Sequence, residues 1–150
     1  MLPKYHIVLG FLFSLILWTI FPFINILEAS IIFFSSFFID VDHYLYYVFK
    51  NKIFSINKAY NYFFELRKRA MTKSLKEKKI KNANPLMYLF HGIEMLLILF
   101  ILGFFVNKLF LFIFIGFAFH LFLDIIEISY YGFRISKISL VYDFAMFIRS

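Results

Sequence analysis

The chain has 150 residues and a net charge of +7, and it is 63% hydrophobic with a mean hydropathy of +0.82; a soluble domain is typically about 45–50% apolar, so one lipid-solvated domain is the natural expectation. With no cysteine, disulfides and thiolate metal sites are excluded, and any metal falls to His, Asp or Glu. The excess of Phe needs no aromatic function, because an AT-rich coding sequence produces it.

Four apolar stretches are long enough for transmembrane helices, which need about 20 residues. The first, Tyr5 to Leu27, has no charged residue, and Pro22 is placed to kink its far end. It has no small-residue cleavage site of the kind that marks a removable signal peptide. The second, Ile31 to Phe49, carries Asp40, Asp42 and His43. The basic stretch Lys50–Pro85 follows. It holds 11 of the 16 Lys and Arg against two acids, Glu65 and Glu77, and the positive-inside rule places it in the cytoplasm. Within it Tyr60, Phe63, Phe64 and Met71 alternate with Arg67, Lys68, Arg69 and Lys73. A helix there would lie on anionic phospholipid headgroups; the alternative is a solvated topology signal. Charge gathered in a membrane-flanking loop favours lipid over nucleic acid as the polyanion. The third stretch, Leu86 to Val106, carries His91 and Glu94. The fourth, Leu109 to Ile128, carries His120, Asp124 and Glu127. Residues 129–150 form a mixed tail, with a short interfacial helix expected near Leu140 to Ile148.

Short joins near Glu28 and at Asn107-Lys108 make two antiparallel hairpins. The expected architecture is therefore an all-α, integral membrane four-helix bundle in the cell (inner or plasma) membrane. Both termini and the basic loop are expected on the cytoplasmic side.

None of the 16 Lys and Arg falls in the four spans, whereas Asp40, Asp42, Glu94 and Asp124 do, and all four histidines lie in or at the start of a span. An Asp at the centre of a membrane helix costs roughly 2.5–3.5 kcal/mol, so four unpaired acids would cost on the order of 10 kcal/mol. With no basic side chain at hand, an external cation is the simplest partner. In this topology Asp40 to His43, His91, Glu94, His120 and Asp124 share one layer roughly 8–15 Å from the cytoplasmic boundary, with His6 shallower. The pairs Asp40/His43, His91/Glu94 and His120/Asp124 are three or four residues apart and would share helix faces. Asp42 would join them only if its helix were distorted. Glu127 continues the His120–Asp124 stripe. Eight candidate ligands exceed one closed zinc site and would leave open positions on one or two ions. A proton relay, a structural hydrogen-bond network and a non-enzymatic cation carrier are the competing readings.

The ordered set of His6, Ile-Asp-Val-Asp-His at 39–43, the His91 region and Gly-Phe-Ala-Phe-His-Leu-Phe-Leu-Asp at 116–124 resembles the membrane-bound metal-dependent hydrolase family, which includes LexA-regulated inner-membrane proteins and is distantly similar to zinc-dependent phospholipase C. Ile39 stands where that family has Pro, and His91-Gly-Ile-Glu94 replaces its His-rich third motif. The resemblance implies hydrolysis, with a phosphate ester of a lipid-like molecule as the expected substrate. His6, Asp40, His43, His91, His120 and Asp124 would ligate zinc, with manganese as the alternative. Asp42 and Glu94 would be further ligands or the general base.

Overall fold

The computed structural model describes residues 3–77 and 90–131, all of whose regular structure is helical: α1 (Pro3–Ile20), α2 (Ile26–Phe38), α3 (Val41–Asn51), α4 (Ile56–Glu77), α5 (Ile93–Phe105) and α6 (Leu109–Tyr131). The chain divides into two compact units. One holds α1, α2, α5 and α6 as far as Asp124; the other holds α3, α4, residues 90–92 and α6 from Ile125 onward.

In the first unit, α1 stops at Ile20 and Pro22 lies in the turn that follows. Proline has no N–H to donate and disfavours helical backbone in the residue before it, so the apolar run to Leu27 ends in a turn rather than in a kinked helix. Asn25 then caps α2 with a reciprocal pair of bonds. Glu28 N–H donates to Asn25 Oδ1 at 3.0 Å, and Asn25 N–H donates to Glu28 Oε2 at 2.9 Å. Lys108, in the α5–α6 turn, donates to Glu28 Oε1 at 2.9 Å and so ties the two turns together. Asn25 first and Lys108 second hold the Glu28 carboxyl below its ordinary pKa.

Both helix pairs fold back on themselves. Gly10 meets Ser36 while Phe11 meets Phe33, and Gly103 meets Leu111 while Phe100 meets Phe114. A Cβ at Gly10 would run into Ser36 Oγ, and one at Gly116 into Ser35 Oγ and the Ile32 carbonyl, so α2 approaches both α1 and α6 closely. The serines bond back to their own helix: Ser35 Oγ to the Ile31 carbonyl at 2.7 Å and Ser36 Oγ to the Phe33 carbonyl at 2.7 Å. Ile24, Ala29, Ile32 and Phe112 form the buried apolar cluster near the turns.

Two helices, Pro3–Ile20 and Leu109–Glu127, are long and apolar enough to cross a membrane, and Ile93–Phe105 is a shorter apolar helix. Only 17% and 28% of the two long segments are buried inside the protein, whereas the core helix of a soluble domain would be mostly covered. Val8, Phe11, Leu12 and Ile16 face outward from α1.

The expected second span, 31–49, is not one helix. α2 ends at Phe38, and α3 restarts at Val41 behind Asp40. In the second unit α3 closes with Lys52 in left-handed backbone (φ 57°), whose N–H reaches the Val48 carbonyl at 2.8 Å. The basic stretch expected as a loop contains the 22-residue α4. Tyr47, Val48 and Ala59 are buried between α3 and α4, with Tyr44, Tyr62 and Phe63 packed around them. Lys50 Nζ donates to Tyr62 Oη at 2.9 Å, which raises the lysine pKa. Arg67 on α4 pairs with Glu127 on α6. The third expected span began at Leu86; α5 begins only at Ile93, and residues 86–89 lie outside those described, as does the tail beyond residue 131.

Candidate metal centres

Each unit brings together two imidazoles and a carboxylate. In the first unit His6 comes from α1, and His120 and Asp124 from α6, one turn apart. Both histidines are wholly buried, and their rings stack with centroids 3.9 Å apart and planes at 14°. His120 Nδ1 lies 2.8 Å from the Ser36 carbonyl oxygen. A carbonyl only accepts, so Nδ1 carries the hydrogen and the neutral ring turns the lone pair of Nε2 toward Asp124. Nε2 of His6 is 3.3 Å from Asp124 Oδ1, and Nε2 of His120 is 3.6 Å from Oδ2.

Both separations are longer than the roughly 2.7–3.2 Å of an ordinary nitrogen-to-oxygen hydrogen bond. Neither His6 nitrogen has a hydrogen-bond partner among the described residues, although the ring is fully buried. An orphaned imidazole beside a carboxylate fits a cation better than a hydrogen-bond network, in which buried polar atoms are paired.

In the second unit, ligand atoms of Asp40, His43 and His91 all lie within 4.8 Å of one another. The rings of His43 and His91 have centroids 4.7 Å apart. Asp42, buried beside them, accepts from His43 Nδ1 at 2.9 Å through Oδ1, and through Oδ2 from His91 Nδ1 at 3.0 Å and the Phe90 N–H at 3.1 Å. Both Nδ1 atoms therefore carry hydrogens. This is how carboxylates behind metal-ligating histidines orient them.

The break at Ile39-Asp40 is the distortion that Asp42 required. On a continuous helix Asp40 and Asp42 would diverge by about 200°. His91 does not share a helix face with Glu94, as their spacing had implied: it precedes α5, where Asp42 takes both its ring and the Phe90 N–H, and the two residues belong to different units. Glu94 is half-buried in the first turn of α5, and the groups of described residues close enough to hold an ion do not include it. Glu127, expected to extend the His120 stripe, is engaged by Arg67. The Ser36 carbonyl and the Phe90 N–H could not be found from sequence, because every residue has both groups.

Groups of His and Asp able to hold a metal ion are thus present in this all-helical chain. No family model, curated protein or solved structure matches it, so the chemistry rests on the residues themselves.

Proposed function

We propose that this protein is a multi-pass, membrane-embedded, metal-dependent hydrolase acting on a phosphate ester of a lipid-like substrate. The observation that carries the reading is the buried His6–His120–Asp124 group, in which an imidazole without a hydrogen-bond partner lies 3.3 Å from a carboxylate, together with the ligand atoms of Asp40, His43 and His91 within 4.8 Å of one another in the second unit. The resemblance of residues 6, 39–43, 91 and 116–124 to the membrane-bound hydrolases points the same way, as does a donor set of imidazole and carboxylate, which suits zinc.

A set of two histidines and one carboxylate leaves coordination positions open, and a divalent ion so held supplies Lewis-acid polarisation of a phosphoryl oxygen and acidifies a bound water. The chain's own residues do the rest. Ser36 fixes the tautomer of His120, and Asp42 fixes those of His43 and His91. Asp42 is committed to those imidazoles, so Glu94 is the carboxylate proposed to accept the proton of the attacking water. The apolar outward faces of α1 and α6 keep the chemistry at lipid depth, and the basic segment after α3, proposed as cytoplasmic, draws the anionic substrate.

A non-enzymatic metal-binding or transport protein would use the same groups. Elemental mass spectrometry of the protein in mild detergent, beside a His120→Ala/Asp124→Ala double variant, tests both readings, followed by release of phosphate or headgroup from phospholipids. Zinc or manganese bound by the wild type and reduced in the variant, with hydrolysis that a chelator stops, is expected. Metal without hydrolysis of any phospholipid class would favour the carrier, and absence of metal after loading with each ion would sink both.

A further inference from the structure

Helix α4 has two apolar faces, and among the described residues α3 packs against one of them. Ala59, Tyr62 and Phe63 turn toward Tyr47 and Val48 of α3. Ile56, Tyr60 and Phe64, spaced by four residues, form a second stripe and are 74%, 41% and 41% exposed. The rings of Tyr60 and Phe64 run nearly parallel along it, 6.4 Å apart. Just upstream Phe49 and Phe54 project outward, 70% and 84% exposed. Lys52, Lys58, Lys68 and Arg69 are exposed along the same segment, against Glu65 as the acid among residues 52–69.

We infer that α4 and the Phe49–Phe54 segment before it form an interfacial anchor, which inserts the Ile56–Tyr60–Phe64 stripe into the headgroup boundary of an anionic leaflet. An apolar stripe on a predominantly basic helix fits phospholipid phosphates, and helices of this kind bind by apolar burial plus attraction to anionic lipid. Aromatic side chains suit the depth at which one end is wet and the other dry. The two helices long enough to cross a membrane bring the bilayer to the same chain. The inference is independent of the metal chemistry.

The absence of cysteine allows a direct test on the full chain. Phe64→Cys and Asn61→Cys, each spin-labelled, are placed in nanodiscs of phosphatidylcholine with or without phosphatidylglycerol, and collision with oxygen and with an aqueous nickel chelate is measured. In anionic discs the label at 64 is expected to gain oxygen contact and lose nickel contact several-fold. The label at 61 is expected to stay in water in both lipids. Raising the salt concentration should return the label at 64 toward its state in neutral discs, as should Lys58→Glu with Arg69→Glu; the salt series carries the test if the charge-reversed chain does not fold. Equal nickel access at 64 in both lipids would overturn the anchor. Equal shielding in neutral lipid would overturn its anionic preference, and shielding that grows with protein concentration in detergent would assign the stripe to a second copy of the chain.

Discussion

The carboxylates of the two His–Asp groups face opposite edges of their imidazoles. In the unit of α1, α2, α5 and α6, Asp124 meets the Nε2 edges of His6 and His120, and a backbone carbonyl holds His120 from behind. In the unit that contains α3 and α4, Asp42 holds the Nδ1 edges of His43 and His91, and Asp40 is a second carboxylate close to the same rings, its Oδ1 4.0 Å from His43 Nδ1. The Ser36 carbonyl orients His120 without a side chain, whereas a carboxylate, Asp42, orients both His43 and His91, and a second acid, Asp40, stands beside it in the Asp-x-Asp-His run.

The largest effect should come from opposing the two acids. Asp42→Asn leaves an amide that cannot accept from both imidazoles and the Phe90 N–H, and hydrogen bonds to a charged group are each worth about 1.5–3 kcal/mol. Thermal unfolding in detergent should show it clearly less stable than wild type, with or without zinc. Asp124→Asn should behave differently. In chelated protein it alters contacts of 3.3 and 3.6 Å, longer than those of Asp42, so stability should fall less than in Asp42→Asn, and the zinc-dependent stabilisation should vanish. If Asp124→Asn destabilises the chelated protein as much as Asp42→Asn does, the contacts of Asp124 are ordinary hydrogen bonds and the contrast between the two groups fails.

That contrast was only half legible in the sequence. Asp124, His120 and His6 could be grouped because apolar runs expose charged residues by contrast, and a His and an Asp four apart share a helix face whatever the tertiary fold. The role of Asp42 was hidden, because residues 31–49 read as one uninterrupted apolar helix and nothing local marks the break at Ile39-Asp40. Asp42 accepts from His91 and Phe90, nearly 50 residues away in sequence, and no periodicity encodes a contact of that range. For the same reason His91 was assigned to a helix that starts two residues later. Helix α4 was legible as one of two readings, from Tyr60, Phe63 and Phe64 alternating with basic residues, but its inner face becomes clear only once Tyr47 and Val48 are seen against Ala59.

A smaller effect is expected where the first unit is pinched. Gly116→Val would drive a side chain into Ser35 and the Ile32 backbone, and overpacking of this kind costs about 1–3 kcal/mol. Because Ser35 adjoins Ser36, whose carbonyl orients His120, metal affinity should fall along with the melting temperature. Gly116→Ala should show the same pair of changes more weakly. A drop in melting temperature with metal affinity unchanged would detach the orientation of His120 from the close packing of α2 on α6.

The smallest expected effect lies at the far end of that unit, in the Asn25–Glu28–Lys108 tie. The folded carboxyl of Glu28 titrates below its ordinary value of 4.5, first through the bond from Asn25 and then through Lys108. A depressed acid contributes stability that is complete above its unfolded pKa and is lost as pH falls through its folded one. The wild type should therefore lose a small increment of thermal stability as pH drops below about 4.5. Glu28→Gln should lack that increment at neutral pH and flatten the acid limb of the profile. Lys108→Ala should flatten it less, because the Lys108 ammonium is largely exposed and solvent screens its pull, while the capping bonds of Asn25 remain. The two groups of His and Asp would be undisturbed in both variants, so an equal loss of bound metal would mean that the turns at one end of the helices control the ligands at the other.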